Sequence, residues 1–387
     1  MRHYCDWLAR STGLLVLSVL VPMAQGAGGS VLRSSGESFV IVQFADLHFG
    51  EAPEKLWGPE QDRNSTRVME SILDTEKPDL VVFSGDQLTG NNIRENATEY
   101  WRQIVQPCVD RGVRWAQTFG NHDDMPLDSV TPSHEWRVTQ SRRLSSTSRS
   151  ELMEFDRSFA LSQSKSDFAS SEGTGLSNFH LQIGRQQSGP SENTSADEKS
   201  DACVPLVVWF LDSGGGSMRE IVSEDEVVWL KEEGGRIRER DRRKRCREAV
   251  FLLFVHIPLP QYADLHREPR GSGGGEFASD ASEGECWGSK EDGIAPTEED
   301  TRLFRALKDL NFSAVSVGHN HGNDFCCPKD GVVLCYGRHT GYGGYGTWER
   351  GARVLRFFFG EEALETWVRF EDGRKKDERW ILAPPRV

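Results

Sequence analysis

The sequence predicts an α/β fold built in layers, and two observations support that prediction. Short apolar runs rich in Val, Ile and Phe recur along the chain, as expected of buried strands. Helical patterns lie between several of them, and such alternation is typical of layered α/β folds. The expected strands are 39–44, 80–83, 113–119, 206–211, 250–255 and 312–317, and the expected helices are 63–76, 95–110, 223–247 and 301–310.

Residue types at the helix ends support these assignments. The first helix ends at Lys77-Pro78, because proline cannot continue a helix and restricts the residue before it. The third opens on Ser223-Glu224-Asp225-Glu226, which resembles a capping box that satisfies the free amides of a helix N-terminus. These signals place the strand ends, and therefore the loops that follow them, at defined positions in the chain.

Two long polar regions interrupt the pattern. Residues 133–202 are rich in Ser, Thr, Arg and Gln, and residues 268–300 are rich in Gly, Ser and acidic side chains. Such composition predicts insertions that contain mobile surface loops. Within the first insertion, residues 145–164 have a helical pattern around Leu152, Phe155 and Phe159.

The first 26 residues are expected to form a secretory signal peptide, followed by one domain over 27–387. Arg2 and Arg10 flank the start of an apolar run over 14–21, and small residues at 24–26 suit cleavage. The run is short for a membrane span, and a signal anchor is the alternative. No later stretch is apolar over the length needed to cross a bilayer, so no membrane span is expected after cleavage.

Two features fit export to the extracellular space or to a vacuolar or lysosomal lumen. Of eight cysteines, Cys5 would leave with the signal, and most of the other seven should pair, leaving an odd one. One disulfide is expected among Cys326, Cys327 and Cys335, with Cys286 as the distant partner of another. Glycosylation sequons occur at Asn64, Asn96, Asn193 and Asn311.

The net charge of −14 does not suit a general nucleic-acid binder, which needs a basic surface, so no nucleic-acid partner is expected.

Five short clusters of Asp, Asn and His follow the ends of predicted strands. Loops at the carboxyl ends of strands are where open α/β folds build their sites, so these clusters are expected to converge on one rim. Together they use five of the ten histidines. The clusters are Asp46-Leu47-His48, Gly85-Asp86, Gly120-Asn121-His122-Asp123, His256 and Gly318-His319-Asn320-His321.

These clusters supply ligands for two metal ions that act together on a phosphoester. Carboxylates offset the metal charge, imidazoles fix the geometry, and one shared carboxylate reduces the repulsion between cations about 3.5–4 Å apart. In an extended loop, Asp46 and His48 point the same way and can hold one ion. Asp86 after Gly85 is the expected bridge. The remaining expected ligands are Asn121, His256, His319 and His321.

His122 is left over beside Asn121 and is expected to face the substrate, where it can protonate the leaving alkoxide. Asp123 is expected to orient that ring and support its cationic form. The expected nucleophile is a hydroxide activated by the metals. Arg338 and His339, before the glycine-rich run 341–346, are candidate substrate contacts, and a glycine-rich hairpin with solvated charges is the alternative.

With these residues the chain resembles the calcineurin-like metallophosphoesterases, whose motifs D-x-H, G-D, G-N-H-[DE], H and G-H-x-H occur in this order. Stretches such as 40–49, 210–214, 255–260 and 334–346 extend the likeness to a purple-acid-phosphatase-like branch. The resemblance implies a four-layer α/β/β/α sandwich and two divalent or mixed-valence ions of Mn, Fe or Zn. It implies Asp46, His48 and His321 around one ion, Asn121, His256 and His319 around the other, and Asp86 between them, with His122 as the acid assisted by Asp123.

One departure from purple acid phosphatases affects the expected metal site. Those enzymes have glycine at the third position of the first motif and a tyrosine ligand three residues beyond the G-D aspartate. Here His48 replaces the glycine and Thr89 occupies the tyrosine position. Without a phenolate on ferric iron, a colourless enzyme is expected. Some relatives of this branch are labelled inactive because they lack the tyrosine, but His48 offers a ligand in its place.

The expected function is a phosphomonoesterase acting on a phosphorylated small molecule or a phosphoprotein. A phosphodiesterase or pyrophosphatase on the same site is the first alternative. A metal-binding protein without turnover is the second.

Overall fold

The computed structural model describes residues 31–127, 147–169, 175–186, 203–265 and 285–384. The expected signal peptide over 1–26, the sequon at Asn193 and parts of both expected insertions lie outside the described residues. The described part of the chain consists of two mixed sheets with helices on their outer faces.

The first sheet has six strands with a parallel centre. Strand β2 (Ser38–Phe44) pairs with β3 (Leu80–Ser84), which pairs with β4 (Arg114–Thr118). On the other side of β2, an antiparallel meander is formed by β11 (Gly351–Phe358), β12 (Ala363–Phe370) and β13 (Lys375–Leu382). Because β2, β3 and β4 are parallel, their carboxyl ends lie side by side at one edge of the sheet.

The second sheet has seven strands in the order β1-β5-β6-β7-β8-β10-β9. Its central strands β6, β7, β8 and β10 are parallel, and β5 and β9 pair antiparallel at its two sides. The strands are β1 (Leu32–Ser34), β5 (Phe179–Arg185), β6 (Leu206–Phe210), β7 (Val250–Phe254), β8 (Phe312–Val317), β9 (Cys326–Lys329) and β10 (Val332–Tyr336).

Alternating side chains on the strands build three apolar layers. On β2, Phe39 and Ile41 face the second sheet, whereas Val42 and Phe44 face helices on the outer side. Those helices are α1 (Trp57–Glu76), α2 (Ala97–Arg111) and α3 (Arg149–Arg157). The second sheet is covered by α4 (Glu224–Lys244) and α6 (Leu303–Asp309), with the short α5 (Gln261–Asp264) beside them. This arrangement confirms the expected four-layer α/β/β/α sandwich.

The described parts of the two expected insertions are built into the fold. Helix α3 packs in the outer helix layer through Leu152 and Met153, and β5 is a strand of the second sheet. The segment from residue 285 to 300 is joined to β9 by a bridge between Trp287 and Cys326, and to the loop after β8 by a bridge between Lys290 and Asn323. The expectation that the insertions contain mobile surface loops stays a prediction, because parts of both insertions lie outside the described residues.

The described residues contain three disulfides, and these confirm the expected pairing of six cysteines. Cys326 and Cys335 lie opposite each other on β9 and β10 with Cα atoms 4.0 Å apart. The other pairs are Cys286–Cys327 and Cys203–Cys246, and Cys108 is buried and free. Disulfides of this number are typical of secreted or lumenal proteins. None of the helices in the described ranges is long and apolar enough to cross a membrane.

Candidate metal centre

Five loops bring the predicted clusters to one buried place. The loops follow β2, β3 and β4 of the first sheet and β7 and β8 of the second sheet. Six of the seven predicted metal ligands are buried, with exposed fractions of 6% or less, and His319 is partly buried. The strand ends of both sheets therefore meet at one edge of the sandwich, as the clusters predicted.

The first group of possible ligands contains Asp46, His48 and His321. One ligand atom from each lies within 4.8 Å of the others. The Nε2 atoms of His48 and His321 are 3.2 Å apart, and Nε2 of His321 is 3.8 Å from a carboxylate oxygen of Asp46. Two imidazole nitrogens and one carboxylate oxygen thus converge, which is a donor set that suits Mn, Fe or Zn.

The second group contains Asp86, His256 and His319, again within 4.8 Å of one another. Asn121 lies between the imidazole rings of His256 and His319. Its Oδ1 is 3.2 Å from Nε2 of His256 and 3.0 Å from Nδ1 of His319. The amide oxygen therefore belongs to the same cluster. This is the partition of ligands that the resemblance implies.

Asp86 is the carboxylate that approaches both groups. Its Oδ2 lies 3.1 Å from Nε2 of His256 and 3.7 Å from Nε2 of His48. Its Oδ1 accepts a hydrogen bond of 2.7 Å from the backbone amide of His122. The position of Asp86 between the groups suits a bridging carboxylate.

Four of the possible ligands have a backbone in the left-handed region of conformation, which residues other than glycine rarely adopt. The φ angles are 57° for Asp46, 50° for His48, 54° for Asp86 and 75° for His319. Each such residue costs of the order of 1–3 kcal/mol and is held only where the surrounding structure requires it. The expectation that Asp46 and His48 converge through an extended loop is therefore wrong, because sharp left-handed turns bring them together.

Gly85 shows why the loop after β3 cannot carry a side chain before Asp86. Its φ is +99°, and a Cβ placed there would lie 2.6 Å from the Cβ of His256. The loops after β3 and β7 can approach each other only because Gly85 has no side chain.

Backbone carbonyl groups fix the orientation of two of the imidazole rings. Nδ1 of His256 donates to the carbonyl of Ser84 at 2.9 Å, and Nδ1 of His321 donates to the carbonyl of Tyr345 at 2.8 Å. In each ring Nε2 is then directed into the cluster. Hydrogen bonds of this kind are the usual means of fixing the tautomer and position of metal-binding histidines.

The electrostatics of the cluster fit divalent cations. Burial lowers the pKa of His319 to about 3 and that of His321 to about 4, so both rings are neutral near pH 7 and present lone pairs. Burial opposes ionisation of Asp86, but the charges of His256 and His122 outweigh it and hold the pKa of Asp86 well below its usual value. In the described residues, the ion-pair partners of Asp46 and Asp86 are all histidines. Buried carboxylates without a lysine or arginine partner suit bound metal ions.

His122 lies beside the cluster and is only partly buried. Its ring centroid is 5.0 Å from that of His48, and its Nδ1 is a buried atom that has no hydrogen-bond partner among the described residues. Its backbone amide is fixed by Asp86. The ring thus lies next to the proposed metal ligands, and its Nδ1 is left without a protein partner among the described residues.

Asp123 has contacts different from those expected. Its carboxylate accepts hydrogen bonds from the backbone amides of Gly120 at 2.8 Å, Asp86 at 3.2 Å and Leu88 at 2.9 Å. No hydrogen bond between Asp123 and His122 is present in the described residues. The expected orienting of His122 is not supported, because both carboxylate oxygens are used to join the loops after β3 and β4.

The two candidate substrate contacts after β10 are buried behind the cluster. The guanidinium of Arg338 is 2.9 Å from a carboxylate oxygen of Asp324 and donates to the carbonyl of Glu349. The ring of His339 packs on His321, with centroids 3.9 Å apart. Arg338 is 3% exposed and His339 is fully buried, so these contacts favour a supporting role over contact with a phosphate.

Tyr345, in the glycine-rich loop after β10, adjoins the cluster and was not predicted from the sequence. Its ring is stacked on His321 with centroids 4.0 Å apart, and its hydroxyl donates to Asp292. Tyr345 is 48% exposed, so it forms part of the rim of the site. The run of glycines around it is the sequence signal for a close approach of this loop, but it does not identify the tyrosine.

The sequence profile of the calcineurin-like phosphoesterase family matches residues 39–323, which include every loop of the cluster. Among curated proteins, the chain is 28% identical to probable inactive purple acid phosphatase 29 of Arabidopsis thaliana, over 96% of this chain and 92% of that protein. It is also 28% identical to phosphatase DCR2 of Saccharomyces cerevisiae, over 90% of this chain and 57% of that protein.

Solved structures agree on the fold. A dimetal phosphatase from Danio rerio superposes with a TM-score of 0.50 at 11% identity, covering 89% of this chain and 98% of that one. The purple acid phosphatase PPD1 from yellow lupin also gives a TM-score of 0.50, at 13% identity, covering 90% of this chain and 54% of that one. From the profile match and the fold together, the chain belongs to the calcineurin-like phosphoesterase family.

Proposed function

We propose that this chain is a metal-dependent phosphomonoesterase with a dinuclear centre. In this proposal, Asp46, His48 and His321 hold one ion, and Asp86 bridges to the second. The observation that carries it is the convergence of two buried ligand groups with Asp86 Oδ2 within 3.1 and 3.7 Å of a histidine nitrogen in each. The ligands of the second ion are Asn121, His256 and His319.

Two bound divalent or mixed-valence ions, of Mn, Fe or Zn, would supply Lewis acidity toward the phosphoryl oxygens and an activated water as nucleophile. In this proposal, the protein itself supplies His122, whose imidazole protonates the leaving oxygen. The amide hydrogen bond from His122 to Asp86 fixes this ring relative to the proposed bridge. His122 is only partly buried, and this supports the role, because a group that protonates the leaving oxygen must be reachable by the substrate.

The proposed substrates are phosphorylated small molecules or phosphoproteins. The word phosphatase in the names of the Arabidopsis and yeast relatives supports a phosphomonoester over a diester or pyrophosphate, which the same site could also hydrolyse. The word inactive in the Arabidopsis name makes a metal-binding protein without turnover the second candidate.

We also propose that the protein acts in the secretory pathway, outside the cell or in a vacuolar or lysosomal lumen. The three disulfides support an oxidising compartment. Asn96 and Asn311 are exposed and Asn64 is partly exposed, so the side chains of the first two are accessible for glycosylation. Treatment of the secreted protein with an endoglycosidase should lower its apparent mass if these sites are used.

The test compares metal content with turnover in one preparation. Metal-free protein is reloaded with Mn²⁺, Zn²⁺ or Fe²⁺, the bound ions are counted by native mass spectrometry, and a chromogenic phosphomonoester and phosphodiester are assayed. Two ions per chain with monoester turnover would support the proposal, whereas two ions without turnover of either ester would favour the non-catalytic candidate.

A matched pair of variants isolates the proposed bridge. Asp86→Asn should lose metal and activity together, because the negative charge shared by both groups is removed. Asp156→Asn is the control, since Asp156 is also fully buried but accepts hydrogen bonds from Trp101 and Trp115 in the helix layer. If Asp86→Asn keeps two ions at unchanged affinity, the assignment of the bridge is wrong.

A further inference from the structure

The first residue of helix α3 is an arginine buried beside the candidate metal centre. Arg149 is 4% exposed, and each of its three side-chain nitrogens donates hydrogen bonds. Nε donates to Asp124 at 3.0 Å, Nη1 donates to Asp212, and Nη2 donates to the carbonyl of Gly120 at 2.8 Å. Nη2 also donates to the carbonyls of Gly214 at 3.0 Å and Gly215 at 3.1 Å.

These acceptors belong to two different loops. Gly120 and Asp124 flank Asn121 and His122 in the loop after β4, whereas Asp212 to Gly215 form the loop after β6. One side chain therefore joins a loop of the first sheet to a loop of the second sheet. The planar guanidinium suits this task because it presents five donors in a fixed geometry.

The loop after β6 presses directly against the proposed ligand Asn121. A Cβ at Gly215 would overlap the Cβ of Asn121 and lie 2.8 Å from its Cα, so these two residues have no free space between them. In the same loop, Ser213 accepts a hydrogen bond of 3.0 Å from the amide of Ile257, which follows His256. The loop held by Arg149 thus touches the loops of two proposed ligands of one ion.

Two buried carboxylates of this cluster share Arg149 as their cationic partner. Asp212 is fully buried and Asp124 is 3% exposed. Asp212 also accepts hydrogen bonds from the amides of Leu176 at 2.8 Å and Ser177 at 3.3 Å, which anchor the start of β5. Loss of the arginine would leave two buried carboxylates without their cationic partner, which is costly and would move the loops apart.

We propose that Arg149 is a positioning residue for the metal centre, which holds Asn121 against His256 and His319 by locking the loop after β4 to the loop after β6. Arg149 touches none of the proposed metal ligands' side-chain donor atoms, so it acts through the backbone of Gly120 and Gly215. The metal part of this inference rests on the proposed function, whereas the loop part concerns the metal-free chain alone.

A purely structural arginine would stabilise the fold without affecting one ion more than the other. Arg238 provides that comparison. It is 8% exposed and donates to the carbonyls of Leu310, Asn311 and Ala249, at the end of the second sheet away from the candidate centre. Arg149→Met and Arg238→Met therefore remove the same group from two buried sites that both bind backbone carbonyls.

The first measurement is amide hydrogen exchange of the metal-free full chain. Arg149→Met should speed exchange by at least roughly tenfold over residues 118–125 and 211–217, while Arg238→Met should leave both segments unchanged. Unchanged protection of both segments in Arg149→Met would overturn the proposal, whether or not the wild-type protein binds metal.

The second measurement is metal binding, by calorimetry and native mass spectrometry with Mn²⁺ and Zn²⁺. Arg149→Met should weaken binding of one of the two ions by roughly 10–100-fold and leave the other close to wild type. Arg149→Lys should recover part of the loss, since it restores the charge but not the several carbonyl contacts. Equal weakening of both ions, or no weakening, would show that Arg149 does not position Asn121.

The two proposals fail in distinguishable ways. If the wild-type chain binds no pair of ions, the proposed function fails, and hydrogen exchange alone decides the role of Arg149 in joining the loops. If wild type binds two ions and Arg149→Met does the same at equal affinity, the proposed function stands and the positioning role is refuted.

Discussion

Replacing His122 with alanine should separate turnover from metal binding. The side chain of His122 makes no hydrogen bond among the described residues, and the contact that fixes the residue is its backbone amide to Asp86, which alanine keeps. We therefore expect the free energy of unfolding to change by less than about 1 kcal/mol and both ions to remain bound. Turnover of a phosphomonoester should fall by about 10²–10⁴-fold, which is the usual contribution of a general acid.

The size of the loss in turnover should depend on the leaving group of the substrate. A fall of that size corresponds to about 3–5 kcal/mol of transition-state stabilisation. An alkyl alkoxide needs a proton to leave, whereas a nitrophenolate leaves readily without one. The loss in kcat should accordingly be large for an alkyl phosphate and much smaller for a nitrophenyl phosphate, measured with the same metal-loaded preparation.

His180 provides the matched control for this variant. Its ring also has a buried Nδ1 without a partner, but it lies on β5 against Trp209, under the opposite helix layer. His180→Ala should leave kcat unchanged for both esters. Equal losses for the two esters in His122→Ala, or loss of a bound ion, would refute the reasoning and assign His122 to metal binding.

Three further predictions concern stability and colour. Burial raises the pKa of Glu226 to about 7, so between pH 4.5 and 7 the folded chain holds a proton that the unfolded chain releases. Stability should fall as pH rises through this range, and the fall measured in thermal melts should be smaller for Glu226→Gln than for the wild type. Loss of the Cys203–Cys246 disulfide, which closes a separation of 43 residues, should cost about 4 kcal/mol in denaturant titrations, whereas Cys108→Ser should cost far less. Protein loaded with ferric iron should show no visible absorption band, because Thr89 stands at the tyrosine position.

The candidate metal centre was predictable because the apolar runs in the sequence indicate where strands end. Each cluster lies one to three residues beyond an apolar run, and parallel strands bring such positions to one edge. The manner of convergence was not predictable in the same way. The left-handed backbone at Asp46, His48, Asp86 and His319 depends on packing between loops far apart in sequence, which no local propensity encodes.

Two of the strands that were not predicted from the sequence have weak local signals. β13 is largely exposed and carries mostly charged residues, so it lacks the apolar alternation of a strand with one buried face. β5 alternates in burial but lies in a region of Ser-rich and Gln-rich composition. Both are fixed by pairing with a neighbouring strand, to β12 and to β6, and such long-range pairing overrides local composition.

Asp123 and Arg338 illustrate a different limit of sequence reasoning. A carboxylate next to a histidine in the sequence suggests that it orients the histidine ring. An arginine next to a glycine-rich loop suggests that it contacts the substrate. Asp123 instead accepts three backbone amides, and Arg338 pairs with Asp324. Buried turns leave amides and carbonyls that need partners, and the nearest charged side chain commonly satisfies them.

The tyrosine position bears on how relatives labelled inactive should be judged. At position 89, the threonine hydroxyl lies 3.4 Å from Nδ1 of His48 and 3.3 Å from its carbonyl oxygen, so this position contacts the proposed ligand. Relative to a purple acid phosphatase, the chain loses a phenolate at one motif and gains an imidazole at another. The number of proposed protein ligands is unchanged, while the donor set is shifted away from ferric iron and toward ions that prefer nitrogen, such as Zn²⁺. Absence of the tyrosine therefore bears on which metals the chain binds and on its colour. It does not argue against turnover in a chain that has His48.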